Sequence, residues 1–431
     1  MKKIAFKTLG CRLNQYETDA LASRFHKGSY QIVNYNEPAD IYIVNTCTVT
    51  NQSDQKSRQT IHQAHKVNEQ GLMVVTGCMA NNHKQSLLET PGIDYVVDNE
   101  RKSSIFSIIE SHFRGEHPDP EGFDEDLFSY EPAFKTFHTR SLIKIQDGCD
   151  NFCTFCIIPS VRGRAVSRPV NAILDNIREV LDHGFKEVVL TGVNIGRYSF
   201  EGTSFEQLVA KILELPGDFR LRISSIEPDG FTPHFFELFQ HEKLAPHLHL
   251  CLQSGSEAIL LKMRRMYTAR EFRQLAEKLR YRYPDFNLTT DIIVGFPGET
   301  EKDFQESLQM AKDLRFSHIH TFKYSVRSGT RAERMDGHLL EKIKNQRSAL
   351  VRKLSDENKL QYFEQMVGKP QRMLVERISA DGIARGYGQS YIPLRTKIKG
   401  LERNQFLDVV PDSVYFGKET AMWAKELRKT F

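Results

Sequence analysis

The sequence predicts an α/β protein in three parts: an open parallel-sheet domain, a partial (β/α)6 barrel and a small C-terminal β-barrel. Three observations carry this. Short apolar runs alternate with helix-permissive polar stretches over residues 1–115 and again over 137–367. An acidic, proline-containing stretch at 116–136 interrupts them. Beyond Gly368 only short strand patterns remain, spaced by turns. At 431 residues the chain has room for two or three domains.

In the first part the candidate strands are KIAFKTLG, DIYIVNT, LMVVTG and IDYVVD. Stretches such as QYETDALASRFHKG and NQSDQKSRQTIHQAHKV separate them as helices, so the sheet is expected to be largely parallel. Residues 116–131 hold seven Asp and Glu, no Lys or Arg, and two prolines. That composition predicts an exposed linker over 116–136.

The second part offers six strands: LIKIQ, EVVLTG, RLRISS, HLHLCLQ, TTDIIVG and HIHTFKYS. Ile173, Ile177, Val180 and Leu181 fall on one helix face, as do Phe272, Leu275, Leu279 and Tyr283. Strands each reached through a helix suit a barrel whose chemistry gathers at the strand C-termini. Residues 340–367 read as one long, charged amphipathic helix. The last part, 368–431, reads as a small barrel. From Met366 onward the chain carries twelve Lys and Arg against seven Asp and Glu. With Tyr387 and Tyr391 expected at its surface, such a module can bind nucleic-acid loops.

Composition excludes little else. Hydrophobic content of 40% and charged content of 26% are those of a soluble globular protein. The net charge of +4 permits an acidic partner without demanding one. No apolar run approaches the roughly 18 residues of a spanning helix, so no membrane partner is expected. Lys7 and Arg12 interrupt the opening, which makes a poor signal peptide. A cytoplasmic location with reduced thiols follows, and there seven cysteines point to metal or catalysis before disulfides.

GCDNFCTFC sets Cys149, Cys153 and Cys156 directly after the strand LIKIQ. Soft thiolates in a tight loop suit zinc or an iron–sulfur cluster. Structural zinc takes four closed ligands, and here the nearest other candidate, His138, lies eleven residues upstream across a strand. A [4Fe–4S] cluster on three thiolates leaves one iron open. A zinc knuckle is the alternative. Cys11, Cys47 and Cys78 each end a predicted strand of the first part. In an open parallel sheet such ends line one edge, so they form a second three-thiolate site. Cys251, inside HLHLCLQ, is assigned to packing.

The C-x3-C-x2-C spacing, with Phe155 before the last cysteine, resembles the signature of radical S-adenosylmethionine (SAM) enzymes. The resemblance implies a radical SAM barrel. It implies that the open iron chelates the methionyl amine and carboxylate of SAM, and that an electron from the cluster cleaves the sulfonium. It places Gly192 and Asn194 of TGVNIG near the methionyl amine. Ser225 of SSIEP and Gln253 of LQSGS fall at the ends of the third and fourth strands, and Gly295 and Glu299 of IIVGFPGET near the adenine.

Two such sites make the chain similar, over essentially its full length, to the methylthiotransferases. The resemblance implies an N-terminal cluster domain, the radical barrel, and a C-terminal TRAM domain that grips tRNA. It implies two [4Fe–4S] clusters and two roles for SAM, as methyl donor and as radical source. A second cluster carries sulfur, and CH3S is installed at an unactivated C–H. An external electron donor and a sulfur source are required.

TLGCRLNQYETDAL, NTCTVTNQSDQKSRQ and KIQDGCDNFCTFCIIPSVRG resemble the branch that acts on N6-threonylcarbamoyladenosine of tRNA. That branch methylthiolates C2 next to the anticodon. The isopentenyladenosine branch reads more like GCQMN and NTCSVRE, and the ribosomal-protein aspartate branch like GCPKN; both stand as alternatives. A third reading is a two-cluster RNA-binding or sulfur-carrier protein without radical chemistry. Arg162, Arg164 and Arg168 beyond the cluster loop, Arg264 and Arg265 after the fourth strand, and Tyr391 are candidate substrate contacts. One of these arginines can read the threonylcarbamoyl carboxylate; the alternative is a solvated basic rim.

Overall fold

The computed structural model describes residues 1–28, 30–130, 132, 139–417 and 419–427. The first part is built on five parallel strands in the order β2-β1-β3-β4-β5. They are β1 (Lys3–Thr8), β2 (Gln31–Val33), β3 (Ile41–Thr46), β4 (Leu72–Gly77) and β5 (Tyr95–Val97). Strands β3 and β4 are buried along their whole length, which is why each reads as an unbroken apolar run. Strand β2 is missing from the expectations because three residues carry no period. Five helices follow the strands: α1 (Arg12–Lys27), α2 (Asn51–Val67), α3 (Cys78–Asn82), α4 (Lys84–Leu88) and α5 (Ile105–Phe113). On one sheet face Ile4, Phe6 and Ile43 pack with Phe25 of α1 and Ile108 of α5. On the other Ala5, Tyr42 and Val75 pack with Ile61 of α2.

The acidic segment is exposed over much of its length and is also tied to the first domain. Glu121 pairs with Lys84 at 2.5 Å and Glu125 with Arg24 at 3.1 Å. Tyr130 is buried in the first domain's core. A run lacking its own cations has found them on the first domain, and straps back across it. The remainder of the expected linker, residues 131 and 133–136, lies outside the described residues, as does His138.

The barrel strands are β6 (Arg140–Lys144), β9 (Glu187–Thr191), β12 (Arg220–Ile223), which resumes after one residue as β13 (Ser225–Ile226), then β14 (His247–Gln253), β15 (Asn287–Val294) and β16 (His318–Lys323). All pair in parallel, β12-β9-β6 and β13-β14-β15-β16, so the β12/β13 junction makes one curved wall of six. Two short ribbons accompany them: β7 (Gln146–Asp147) with β8 (Val166–Ser167), and β10 (Ser199–Phe200) with β11 (Thr203–Ser204). Helices α6 (Ile158–Arg162), α7 (Val170–Asp182), α8 (Phe205–Leu213), α9 (Pro233–Leu238), α10 (Glu257–Lys262), α11 (Ala269–Arg282) and α12 (Glu301–Leu314) connect the strands. Ile173, Ile177 and Val180 of α7 and Phe272 and Leu279 of α11 are buried against the wall. Helix α13 (Glu341–Met366) closes on β16, where Ser355 Oγ accepts the Ile319 N–H at 2.9 Å.

The last part is a closed barrel, β17-β18-β19-β21-β20. Its strands are β17 (Gln371–Ile378), β18 (Ala384–Tyr387), β19 (Pro393–Thr396), β20 (Phe406–Tyr415) and β21 (Ala421–Glu426). Its core of Met373, Leu394, Val409 and Met422 also takes in Tyr362 and Phe363 of α13. It plugs the N-terminal end of the larger barrel: Asn287 Nδ2 donates to the Ser390 carbonyl at 2.6 Å, and Arg220 donates to the carbonyl of Arg372. Here Tyr387 and Tyr391 depart from expectation. They are half-buried and stacked on each other at 4.8 Å, with the Arg222 guanidinium 4.5 Å from the Tyr391 ring. The turn after β18 inserts into the strand starts, so these rings face the barrel interior instead of bulk solvent. Among the described residues no helix is long and apolar enough to cross a membrane.

Candidate active site

The chemistry-bearing cysteines form two trios on neighbouring elements. In the barrel, Gly148 opens the loop after β7 with φ +67°; a Cβ there would lie 1.9 Å from the Arg164 carbonyl oxygen, so only glycine fits. Each sulfur of this loop has an N–H donor. Cys149 Sγ takes Asn151 N–H at 3.5 Å and Asn194 Nδ2 at 3.9 Å. Cys153 Sγ takes Arg265 Nη1 at 3.1 Å, and Cys156 Sγ takes Ile158 N–H at 3.5 Å. Burial pushes the Cys156 thiol up to about 12, with the Ile158 N–H and Arg265 opposing it. Donors aimed at three sulfurs suit bound thiolates.

In the first domain, Cys11 caps α1, Cys47 follows β3 and Cys78 opens α3. All three therefore stand where strands end, at one sheet edge. Cys47 and Cys78 are buried and Cys11 is exposed at the edge. Asn14 Nδ2 ties the β1 and β3 exits together through the Leu9 and Thr46 carbonyls, each at 2.9 Å. Gly10, at φ +95°, lets Cys47 approach: a Cβ on it would lie 2.9 Å from Cys47 Sγ. Desolvation raises the Cys11 and Cys47 thiols, the Arg162 guanidinium opposes this at Cys11, and the neighbouring Cys78 adds to it at both. Gly10→Ala is expected to push Cys47 away and strip iron from this trio alone. Iron per chain measured after anaerobic reconstitution checks it, and wild-type iron content would contradict it.

Among the described residues the one trio of His, Cys, Asp or Glu whose ligand atoms all lie within 4.8 Å of one another is His249, Cys251 and Asp291. Neither cysteine trio is that tight. A single zinc at about 2.3 Å from each sulfur needs that tightness, whereas an iron–sulfur cube spreads its thiolates. Both trios therefore fit a cluster better than a zinc knuckle. Cys251 is buried as expected, and it shares the interior with His249 and Asp291, whose Nε2 and Oδ1 lie 3.2 Å apart.

The trios touch through their supports. Cys78, Ile157 and Val161 form one buried apolar cluster, and Asn99 Nδ2 donates to the Val161 carbonyl at 2.8 Å. Beside it lies a buried charge network. Glu17 of α1 pairs with Lys102 at 2.5 Å, Lys144 at 3.2 Å and Arg162 at 3.0 Å; Arg162 and Lys144 also pair with Asp147 at 2.9 and 2.7 Å. Burial alone would raise the Glu17 carboxyl; Arg162, Lys102 and Lys144 hold it well below the usual range. Nothing in the helical pattern around Glu17 announces this network, because its partners come from three other elements.

The expected SAM residues divide. Gln146 Oε1 accepts the N–H groups of Val193 and Asn194 at 3.1 and 2.8 Å, fixing the loop that holds Gly192 and Asn194. A Cβ on Gly192 would lie 2.7 Å from the Gln146 carbonyl. Asn194 Oδ1 is buried without a hydrogen-bond partner next to Cys149, an acceptor fit for an ammonium group. Phe155 is half-buried, edge-on to Phe296 at 6.3 Å. Ser225 is exposed at the start of β13, and Gln253, at φ +64°, ends β14. Glu299 has internal partners. Its Oε2 accepts Gly295 N–H at 2.7 Å and pairs with Arg347 at 2.5 Å, so it anchors α13. Gly295 likewise serves packing, since a Cβ would lie 2.2 Å from Lys344 Cγ.

The candidate arginines are engaged within the protein to different degrees. Arg162 sits inside the buried network. Arg168 is buried on Asn176 Oδ1 at 2.9 Å. Arg265, its side chain 3% exposed, pairs with Glu227 and Cys153. Each of these three is held by internal partners. Arg164 is exposed but paired with Asp150 at 2.8 Å, and Arg264 is exposed at φ +57°. Sequence reasoning missed Gln146, Glu17 and Arg12, the last of which lines the barrel interior.

Comparison with known proteins agrees with this architecture. Residues 3–98 match the model of the Uncharacterized protein family UPF0004, and residues 143–311 that of the Radical SAM superfamily. A threonylcarbamoyladenosine tRNA methylthiotransferase of Bacillus subtilis is 37% identical over 93% of this chain and 91% of its own. Its counterpart in Aquifex aeolicus is 37% identical over 86% and 92%. A tRNA-2-methylthio-N(6)-dimethylallyladenosine synthase of Acidovorax is 31% identical over 95% and 94%. Among solved structures, the fold resembles the radical SAM methyltransferase TsrM of Kitasatospora setae, with a TM-score of 0.56 at 14% identity over 89% of this chain and 80% of that one. A barrel cysteine loop, a second thiol trio and end-to-end likeness at this identity lead to one conclusion: the chain belongs to the radical SAM methylthiotransferase family.

Proposed function

We propose that the chain methylthiolates C2 of N6-threonylcarbamoyladenosine next to the anticodon of tRNA, giving 2-methylthio-N6-threonylcarbamoyladenosine. The observation that carries this is that Cys78 of one trio packs against Ile157 and Val161, which follow the other trio in the chain. Near-full-length likeness to proteins named for that nucleoside supports the branch. A tRNA substrate sets the work in the cytoplasm, with an external electron donor and sulfur source.

Cys149, Cys153 and Cys156 would hold one [4Fe–4S] cluster, and Cys11, Cys47 and Cys78 the other. When bound, the clusters and SAM supply the radical, the methyl group and the sulfur. The residues do the positioning. Arg265 sets a cation on Cys153 Sγ and stabilises negative charge there. Gln146 fixes Asn194 so that its free Oδ1 can accept from the methionyl ammonium. The apolar cluster around Cys78 keeps water from the gap between the trios. The basic excess of the C-terminal barrel supports a TRAM-like hold on tRNA phosphates.

Mass spectrometry of tRNA nucleosides from a strain lacking this chain tests the reading. The methylthio-threonylcarbamoyl nucleoside is expected to vanish, leaving its unthiolated precursor. Loss of the methylthio-isopentenyl nucleoside instead would favour the branch represented by the dimethylallyladenosine relatives.

A further inference from the structure

We propose that Arg12 binds the carboxylate of the threonylcarbamoyl group and so sets substrate choice; this rests on the substrate reading above. Arg12 is the first residue of α1, directly after Cys11. Its side chain reaches a cavity of about 590 Å³ that all three parts of the protein line, with His247, His249 and His320 from the barrel and Tyr391 from the C-terminal module. An adjoining cleft of about 130 Å³ is lined by Arg12, Arg140, Arg222 and Tyr391.

Three guanidinium groups converge on Tyr391. Arg12 Nη2 and Arg140 Nη1 donate to its hydroxyl at 3.4 and 3.1 Å, and Arg222 lies over its ring. Two of the three are neutralised: Arg140 pairs with Glu376 at 2.8 Å, and Arg222 with Glu187 at 2.9 Å. Arg12 is exposed to the cavity and forms no salt bridge among the described residues. An arginine keeps its charge at any physiological pH. Two of the lining histidines are disfavoured as cations: burial pushes His247 well below its ordinary value and His318 down to about 4. Of the acids lining the interior, Asp291 is paired with His249, and Asp356 and Glu419 line the cavity with Lys359.

The site is thus a permanent cation lacking a counter-ion, in a cavity of nucleobase-substituent size, one residue from a thiol of the second trio. Its fork fits a carboxylate in two-point contact. Arg162, Arg168 and Arg265 cannot serve, since internal partners occupy them.

The test compares the reconstituted full-length enzyme and its Arg12→Gln and Arg12→Lys variants on two anticodon stem-loops. One carries threonylcarbamoyladenosine, the other the same nucleoside with the threonine carboxylate as a methyl ester. Wild-type kcat/KM is expected to fall about 10- to 100-fold on the ester. Arg12→Gln should fall as far on the free acid and no longer distinguish the two, with Arg12→Lys in between. Iron per chain should match wild type. The proposal is overturned if Arg12→Gln still rejects the ester. Equal losses on both stem-loops, the mark of a phosphate contact, or loss of iron overturn it as well. Wild-type enzyme inactive on both stem-loops would instead overturn the substrate reading, and the proposal with it.

Discussion

Replacing Cys149, Cys153 and Cys156 together by alanine is expected to abolish reductive cleavage of SAM and, with it, all methylthiolation. Replacing Cys11, Cys47 and Cys78 is expected to abolish methylthiolation while SAM cleavage persists. The asymmetry follows from placement. Only the barrel trio adjoins the loop in which Asn194 Oδ1 waits buried and unpartnered beside Cys149. The first-domain trio sits on a different sheet, with Gly10 and Asn14 shaping its approach. Anaerobic assay of 5′-deoxyadenosine with dithionite, alongside nucleoside analysis of the tRNA, separates the two effects. Loss of 5′-deoxyadenosine from both variants would mean that the trios act as one site.

The second large effect is structural. Glu17→Gln removes one charge and leaves Lys102, Lys144 and Arg162 buried around a neutral amide. Breaking a buried pair from one side costs about 3–5 kcal/mol. Here the cost falls on the seam between α1, β6 and α6, so the first domain should loosen from the barrel before either unfolds. Hydrogen exchange over residues 12–27 and 140–144 should rise, and the thermal midpoint should fall by several degrees. The sign of the pH effect also follows. A carboxyl held below its ordinary value stabilises the folded state above the unfolded pKa, and that stability is lost as pH falls through the folded one. Wild-type protein should keep the seam closed at neutral pH and loosen it below the usual carboxylate range. The Gln variant should be loose already and lack that acid-dependent part. Unchanged exchange at neutral pH would show that the network does not hold the seam.

The fold was legible where periodicity spoke. Strands β3 and β4 declared themselves as buried runs, and α7 and α11 by their apolar faces. The placement of the six cysteines was legible because spacing and strand ends are linear properties. What failed depends on partners remote in sequence. The ties of the acidic segment to Arg24 and Lys84 are not written in its own composition. Arg162 lies only six residues beyond Cys156, yet its partner Glu17 is 145 residues away. Tyr391 looks like a surface aromatic because nothing local shows that its turn enters another domain. Arg12 looked like a charge that spoils a signal sequence, and only the folded chain shows it facing the interior.

The central claim is that this chain carries two separate three-thiolate cluster sites. Iron quantification with Mössbauer spectroscopy on anaerobically reconstituted protein tests it most directly. Wild type should hold about eight irons in cubane clusters, and each triple-alanine variant about four. About four irons in wild type, or complete loss of iron from either variant, would contradict it.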